Sequence, residues 1–279
     1  MTAEGNMQGG STSADKPSGV RDVKSASRTV ELLEILANQT EPVRLREISE
    51  ALGAPRSSVY ALLRTLVQRG WVRTDASGTL YGIGIRALLT GTSYLDADPW
   101  LRLVQSWLDW LKSELDETVH FGRLDGTDIV YLATRESSQY LRNVNRVGRR
   151  LPAHATALGK VLLAERTAVE LDSILPGVLP QLTPQTITDR AALEADLEIT
   201  RRRGYAVDEG ENLQGVRCFG FALHLDTTPR DAISCSVPTE RLDEARTEFI
   251  VGRMRHVQAE IENAAFRYEA PAGVGRLLN

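Results

Sequence analysis

Between residues 27 and 70 the apolar positions recur three and four apart, in three short runs separated by helix breakers. Val30, Leu33, Ile35, Leu36 and Ala37 predict a first helix that follows Ser27 and stops before Pro42. Ile48, Ala51 and Leu52 predict a second, over Leu45 to Leu52, closed by Gly53. The third has Pro55 in its first turn, where a missing N–H costs nothing, buries Val59, Leu62, Leu63, Leu66 and Val67, and ends at Gly70. Residues 71–74 and 79–83 then change to strand spacing around Asp75-Ala76-Ser77-Gly78, which predicts a β-hairpin. Three short helices and a hairpin in this order read as a winged helix-turn-helix over residues 21–85.

The stripe assigned to the third helix leaves Arg56, Ser57, Tyr60, Ala61 and Arg64 on its outer face, with Ser58 beside them. Short hydrogen-bonding groups near a helix start, followed by arginines, suit base edges and phosphates in a major groove that admits a helix. Thr74 and Ser77 of the wing complete the expected DNA-contacting set.

Residues 86–98 are expected to form a linker helix, with Leu88, Leu89 and Leu95. Asp98-Pro99 then caps an amphipathic helix reaching residue 114 or 115, whose apolar face holds Trp100, Leu103, Val104, Trp107, Leu108, Leu111 and Leu115. That face is wider than core packing of a surface helix needs; it reads either as core or, in part, as a dimer contact. Strands are expected at Val119–Leu124, Ile129–Thr134 and Gln139–Val147, helices at 155–165, 167–174 and 189–203, further strands at 205–208, 218–226 and 231–237, and a closing helix at 239–266. Strands and helices are grouped rather than strictly alternating, so residues 99–270 read as an α+β sensor domain and not a dinucleotide-binding fold.

Composition adds limits. A net charge of −4 argues against a protein that coats nucleic acid uniformly, and the regional balance, +2 over 21–85 against −5 over 86–279, leaves room for a local DNA site. Residues 1–20 carry almost no large apolar side chain and are expected to be a disordered tail; residues 271–279 are expected to be a flexible C-terminal tail. No apolar run long enough for a membrane span or secretion signal occurs, so a cytoplasmic location is expected. Cys218 and Cys235 then read as buried thiols, and no cofactor or metal is called for.

Within the sensor domain, alternation places small Cys218, Gly220 and Ala222 on one strand face and Phe219, Phe221, Leu223 and Leu225 on the other. On the next strand Ser234 and Ser236 oppose Ile233, Cys235 and Val237. Small residues leave room for a ligand and the hydroxyls would edge that space. The helix beginning after Pro152 would aim N–H groups around Ala155 to Leu158 at it, which favours a small carboxylate effector.

The segment Gly148-Arg-Arg-Leu-Pro152-Ala-His154-Ala-Thr-Ala-Leu-Gly159-Lys160-Val-Leu-Leu-Ala164 resembles the signature of the IclR family of bacterial regulators, as does Gly204-Tyr205-Ala-Val-Asp208-Glu-Gly-Glu211-Asn-Leu-Gln-Gly215-Val-Arg-Cys218. With the winged domain, the similarity spans about residues 24 to 266. It implies a winged helix-turn-helix joined by a linker helix to a GAF-like effector domain, dimeric or tetrameric on double-stranded operator DNA. Carried over by position, the implied effector-binding residues are Ala157, Leu158, Asp208, Cys218, Ser234 and Ser236, while Tyr140 and Asn143 stand at pocket positions often apolar in relatives.

Two other classes compete. Cys218, His154 and Asp208 are the residue types of a nucleophilic enzyme site, but their spacing carries no local signature. A winged domain that binds protein in place of DNA is the other, and Arg56 and Arg64 discriminate it.

Overall fold

The computed structural model describes residues 23–139 and 147–267, and the chain divides into two compact units, 1–93 and 94–279. The expected strand at Gln139–Val147 falls largely outside the described residues, as do Tyr140, Asn143 and both chain ends.

In the first unit, α1 (Lys24–Ala37), α2 (Leu45–Ala51) and α3 (Arg56–Gln68) pack around Leu32, Leu36, Ile48, Val59, Leu63 and Leu66. The two-residue β1 (Val43–Arg44), β2 (Val72–Thr74) and β3 (Leu80–Ile83) form an antiparallel sheet in the order β1-β3-β2. The Ser49 hydroxyl donates to the Ala54 carbonyl at 2.6 Å and fixes the turn that sets α3 against α2. Gly84 passes the Gly70–Trp71 turn so closely that a Cβ would stand 2.3 Å from the Gly70 carbonyl oxygen.

Three sequence expectations shift here. The buried face of α1 is Leu32 and Leu36, one turn apart, and Val30 is exposed, because the i, i+4 pair and not the Val30 register meets the other helices. Ala51 is exposed at the end of α2. Pro55 precedes α3 as its extended N-terminal neighbour, its carbonyl accepting from Ser58 and Val59 N–H.

α4 (Ile85–Ala97) has no buried residue. α5 (Pro99–Leu115) starts where expected: Asp98 accepts from Leu101 N–H at 2.8 Å and Pro99 occupies the first turn. Its buried side chains are Leu101, Val104, Leu108, Leu111 and Leu115, whereas Trp100, Leu103 and Trp107 are only partly buried.

The second unit is built on a six-stranded antiparallel sheet of β4 (Thr118–Asp125), β5 (Asp128–Arg135), β6 (Arg150–Pro152), β7 (Ala206–Glu209), β8 (Val216–Leu223) and β9 (Asp231–Pro238), ordered β6-β5-β4-β9-β8-β7. Phe121, Phe219, Phe221, Ile233 and Val237 pack on one side against α5 and the closing helix α9 (Glu244–Arg267). α6 (Ala157–Ala164), α7 (Ala168–Ile174) and α8 (Arg190–Arg203) share a second core with Ala206, Ala222 and Ala232 from the other side. Small residues there let α6 lie directly on the strands: a Cβ on Gly220 would sit 2.3 Å from the Ala157 carbonyl oxygen.

Element ends move for local reasons. Residues 153–155 form a 3₁₀ turn and α6 begins only after Thr156, whose hydroxyl accepts from Gly159 N–H at 3.0 Å. A second such turn at 239–241 precedes α9, and β8 ends at Leu223, leaving Leu225 beyond it. No helix among the described residues is long and apolar enough to cross a membrane.

Candidate functional site

The period of α3 buries Val59, Leu63 and Leu66 and leaves Arg56, Ser57, Tyr60, Ala61 and Arg64 exposed, with Ser58 half-buried. On the wing Thr74 is exposed. Ser77 is committed to the wing's own geometry: its hydroxyl bonds the Asp75 carboxylate and lies 2.8 Å from Thr79 Oγ1. Asp75 also accepts from Thr79 and Leu80 N–H at 2.7 and 2.8 Å, and these bonds, Ser77 first, hold its pKa far below the usual carboxylate range. Arg44 and Arg73 are exposed in the same unit and escaped the sequence reading, since strands of two and three residues give alternation nothing to register on.

In the second unit the α6 side of the sheet encloses a cavity of about 60 Å³. Register builds its floor: Thr118 pairs with Ser236, Ser236 with Cys218 and Cys218 with Asp208, a row across four strands, while His120 pairs with Ser234 one step along. Ala157 and Leu158 roof it with the first turn of α6, where backbone N–H groups have no intrahelical partners. Arg149 and Tyr131 complete the wall. Ala157, Leu158, Asp208, Cys218, Ser234 and Ser236 thus come together, and Thr118, His120, Tyr131, Arg149 and Thr156 join them without having been singled out.

The electrostatics combine one arginine with an uncharged imidazole and a carboxyl that holds its proton up to near neutral pH. Burial holds the His120 imidazole down to about 3, with the Arg149 charge adding, so it is uncharged; its Nδ1 lies 3.0 Å from Thr134 Oγ1 and its ring stacks on Tyr131 at 4.6 Å. Burial pushes Asp208 up to about 7, and the Glu211 carboxylate pushes the same way. Asp208 Oδ1 accepts from Glu211 N–H at 2.6 Å, and Glu211 is paired with buried Lys160, which also reaches Asp196 at 3.0 Å. Burial likewise raises the Cys218 thiol, whose sulfur lies 3.2 Å from Ser236 Oγ.

These facts bear on the enzyme alternative. Cys218 is a protonated thiol beside a hydroxyl, and His154 is turned to the Pro180 carbonyl, 3.0 Å from its Nε2. Among the described residues no three His, Cys, Asp or Glu side chains are grouped to hold a metal.

A family model for the IclR helix-turn-helix domain matches residues 25–76, and one for the bacterial transcriptional regulator IclR C-terminal domain matches 92–263. The chain belongs to the IclR family. It is a DNA-binding transcriptional regulator with a C-terminal effector domain. Its relatives include the HTH-type transcriptional regulator XynR of Escherichia coli, 33% identical with 80% of this chain and 89% of the relative covered. The transcriptional repressor IclR of the same organism is 32% identical over 81% and 85%, and the glycerol operon regulatory protein of Streptomyces coelicolor 31% over 92% and 99%. Among solved structures the Thermotoga maritima IclR aligns at a TM-score of 0.66 with 27% identity, covering 88% of this chain and 99% of its own. An IclR homologue from Microbacterium hydrocarbonoxydans, complexed with 4-hydroxybenzoate, aligns at 0.72 with 22% identity over 87% and 99%, a likeness of fold.

Proposed function

We propose that the cavity under α6 binds a small carboxylate metabolite and that its occupancy modulates operator binding by a homodimer or dimer of dimers in the cytoplasm. The observation that carries the carboxylate is the meeting, in one cavity, of the α6 first turn, the Ser234 and Ser236 hydroxyls and the Arg149 side chain. Backbone N–H groups at a helix start, hydroxyl donors and a guanidinium together favour a carboxylate over a neutral ligand. In this reading Asp208 and Cys218 are hydrogen-bonding partners of the effector, and the chain does no catalysis. Tyr140 and Asn143 remain candidates from the sequence alone.

On the DNA side, Ser57, Ser58 and Tyr60 meet base edges in the major groove and Arg56 and Arg64 the phosphates beside it, with Thr74 contacting the backbone from the wing and Ser77 shaping its tip. Oligomerisation is supported by α4, where Ile85, Leu88 and Leu89 form an apolar stripe with each side chain more than half exposed.

A thermal-shift screen of aliphatic and aromatic acids, with 4-hydroxybenzoate in the panel, tests the effector class. An acid at one hundred times its dissociation constant adds about 2.7 kcal/mol. The expected result is a raised midpoint in the wild type that is lost in Ser234→Ala/Ser236→Ala. Stabilisation by neutral sugars or aromatics and by no acid would overturn the reading.

A further inference from the structure

Away from the cavity, on the opposite side of the same two strands, Arg123 of β4 stands directly across from Asp231 of β9. Its Nε and Nη2 reach the two Asp231 carboxylate oxygens at 2.7 and 2.9 Å. Nη1 donates to Asp98 Oδ2 at 2.5 Å and to the Tyr94 hydroxyl at 2.8 Å. Arg123, Asp98 and Asp231 are buried, whereas Tyr94 is 41% exposed. The other Asp98 oxygen caps α5 through Leu101 N–H. One planar guanidinium therefore joins the last turns of α4, the first turn of α5 and the paired ends of β4 and β9.

Arginine is the residue this junction needs, because only its fork of donors serves a bidentate carboxylate and two further acceptors at once. Burying such a cluster is costly, and packed apolar side chains often stabilise a fold as well or better. What the cluster supplies that apolar packing does not is direction: each bond fixes an element at a set angle. The two strands it clamps are those that carry His120, Ser234 and Ser236 into the cavity. The helix it holds by Tyr94 runs from residue 85 to residue 97 without a fully buried side chain; beside Tyr94, its last turn is held by half-buried Leu95 on the core and by Arg102 Nη1, which donates to the Asp96 carbonyl at 3.1 Å.

We propose that Arg123 is a positioning residue that ties the effector sheet to the linker helix α4 through Tyr94 and Asp98, and so sets how that helix leaves the domain. The tie stands on its own geometry; its use in a ligand response rests on the effector reading above.

Amide hydrogen exchange by mass spectrometry on the full chain tests it. Tyr94→Phe deletes one hydroxyl and leaves the Arg123–Asp98–Asp231 cluster whole, so it folds. Arg123→Lys keeps the charge without the fork. Losing a hydrogen bond to a charged donor should speed exchange of the residue 92–97 peptides roughly fivefold in Tyr94→Phe, while the melting midpoint and the exchange of β4, β9 and α5 stay at wild-type values. Arg123→Lys should speed the same peptides at least as much. In Tyr94→Phe, a merely structural cluster would lower the midpoint and loosen β4 and β9 together with α4, and that result, or α4 exchange unchanged in both variants, overturns the proposal. With 4-hydroxybenzoate added, α4 exchange should change in the wild type and not in Tyr94→Phe. If the acid raises the midpoint but leaves wild-type α4 exchange unaltered, the effector reading survives and the ligand role of the tie fails. If the acid moves neither, that ligand choice fails, and the ligand-free comparison still decides the tie.

Discussion

Replacing Asp208 by asparagine converts the acid at the end of the polar row into a neutral isostere that still accepts from Glu211 N–H. Burial and the neighbouring Glu211 raise the Asp208 pKa from 3.8 to about 7 in the folded chain, against the partly offsetting Lys160 charge. The folded protein therefore holds this proton where the unfolded chain has lost it. Stability from this group is fully present below pH 4, falls as pH rises towards 7, and is flat above. The slope is about 1.4 kcal/mol per pH unit, and the whole interval amounts to about 4 kcal/mol. The asparagine variant has no such loss, so a gap in favour of Asp208→Asn should open between pH 5 and pH 7 and stop widening by pH 8. Guanidinium denaturation of both proteins at pH 5, 6, 7 and 8 measures it, and the difference cancels the titrations of other groups. A gap that does not change with pH would mean that Asp208 ionises in the folded state as it does in the unfolded chain, and the burial argument for its raised pKa would be refuted.

Three further outcomes follow from the same geometry. His120 is depressed to about 3, so it contributes stability present above pH 6.5 and lost as pH falls towards 3; His120→Gln should flatten acid unfolding over that interval, read by circular dichroism. Gly220→Ala drives a Cβ into the Ala157 carbonyl and should cost about 1–3 kcal/mol, lowering the melting midpoint and abolishing stabilisation by acids as α6 lifts. Arg56→Ala/Arg64→Ala should weaken DNA binding and reduce the slope of log K against log salt by about 2, one per lost phosphate contact; an unchanged slope would leave α3 without its assigned role.

What the sequence disclosed, and what it hid, follows from periodicity and chain separation. The outer face of α3 was legible because Val59, Leu63 and Leu66 set a single strong helical period. Alternation in β8 and β9 gave Cys218, Ser234 and Ser236 their common side, and the family-like segments added Asp208, Ala157 and Leu158. His120 and Thr118 stayed hidden because β4 is buried on both faces from Thr118 to Arg123, so hydropathy cannot tell pocket from core. Arg149 precedes a three-residue strand whose pairing with β5 is not written in any local pattern. The Arg123 junction joins residues 25 and 108 positions apart, a relation that neither spacing nor composition records.

The most direct test of the account measures DNA affinity by fluorescence anisotropy, using a duplex selected on the protein itself, with and without the acid that most stabilises it. In the wild type the acid should change the dissociation constant by about 5- to 150-fold, the usual span of allosteric coupling, and in Ser234→Ala/Ser236→Ala it should change nothing. An acid that binds the wild type yet leaves its DNA affinity untouched, or shifts both proteins equally, would contradict the claim that this cavity governs the regulator.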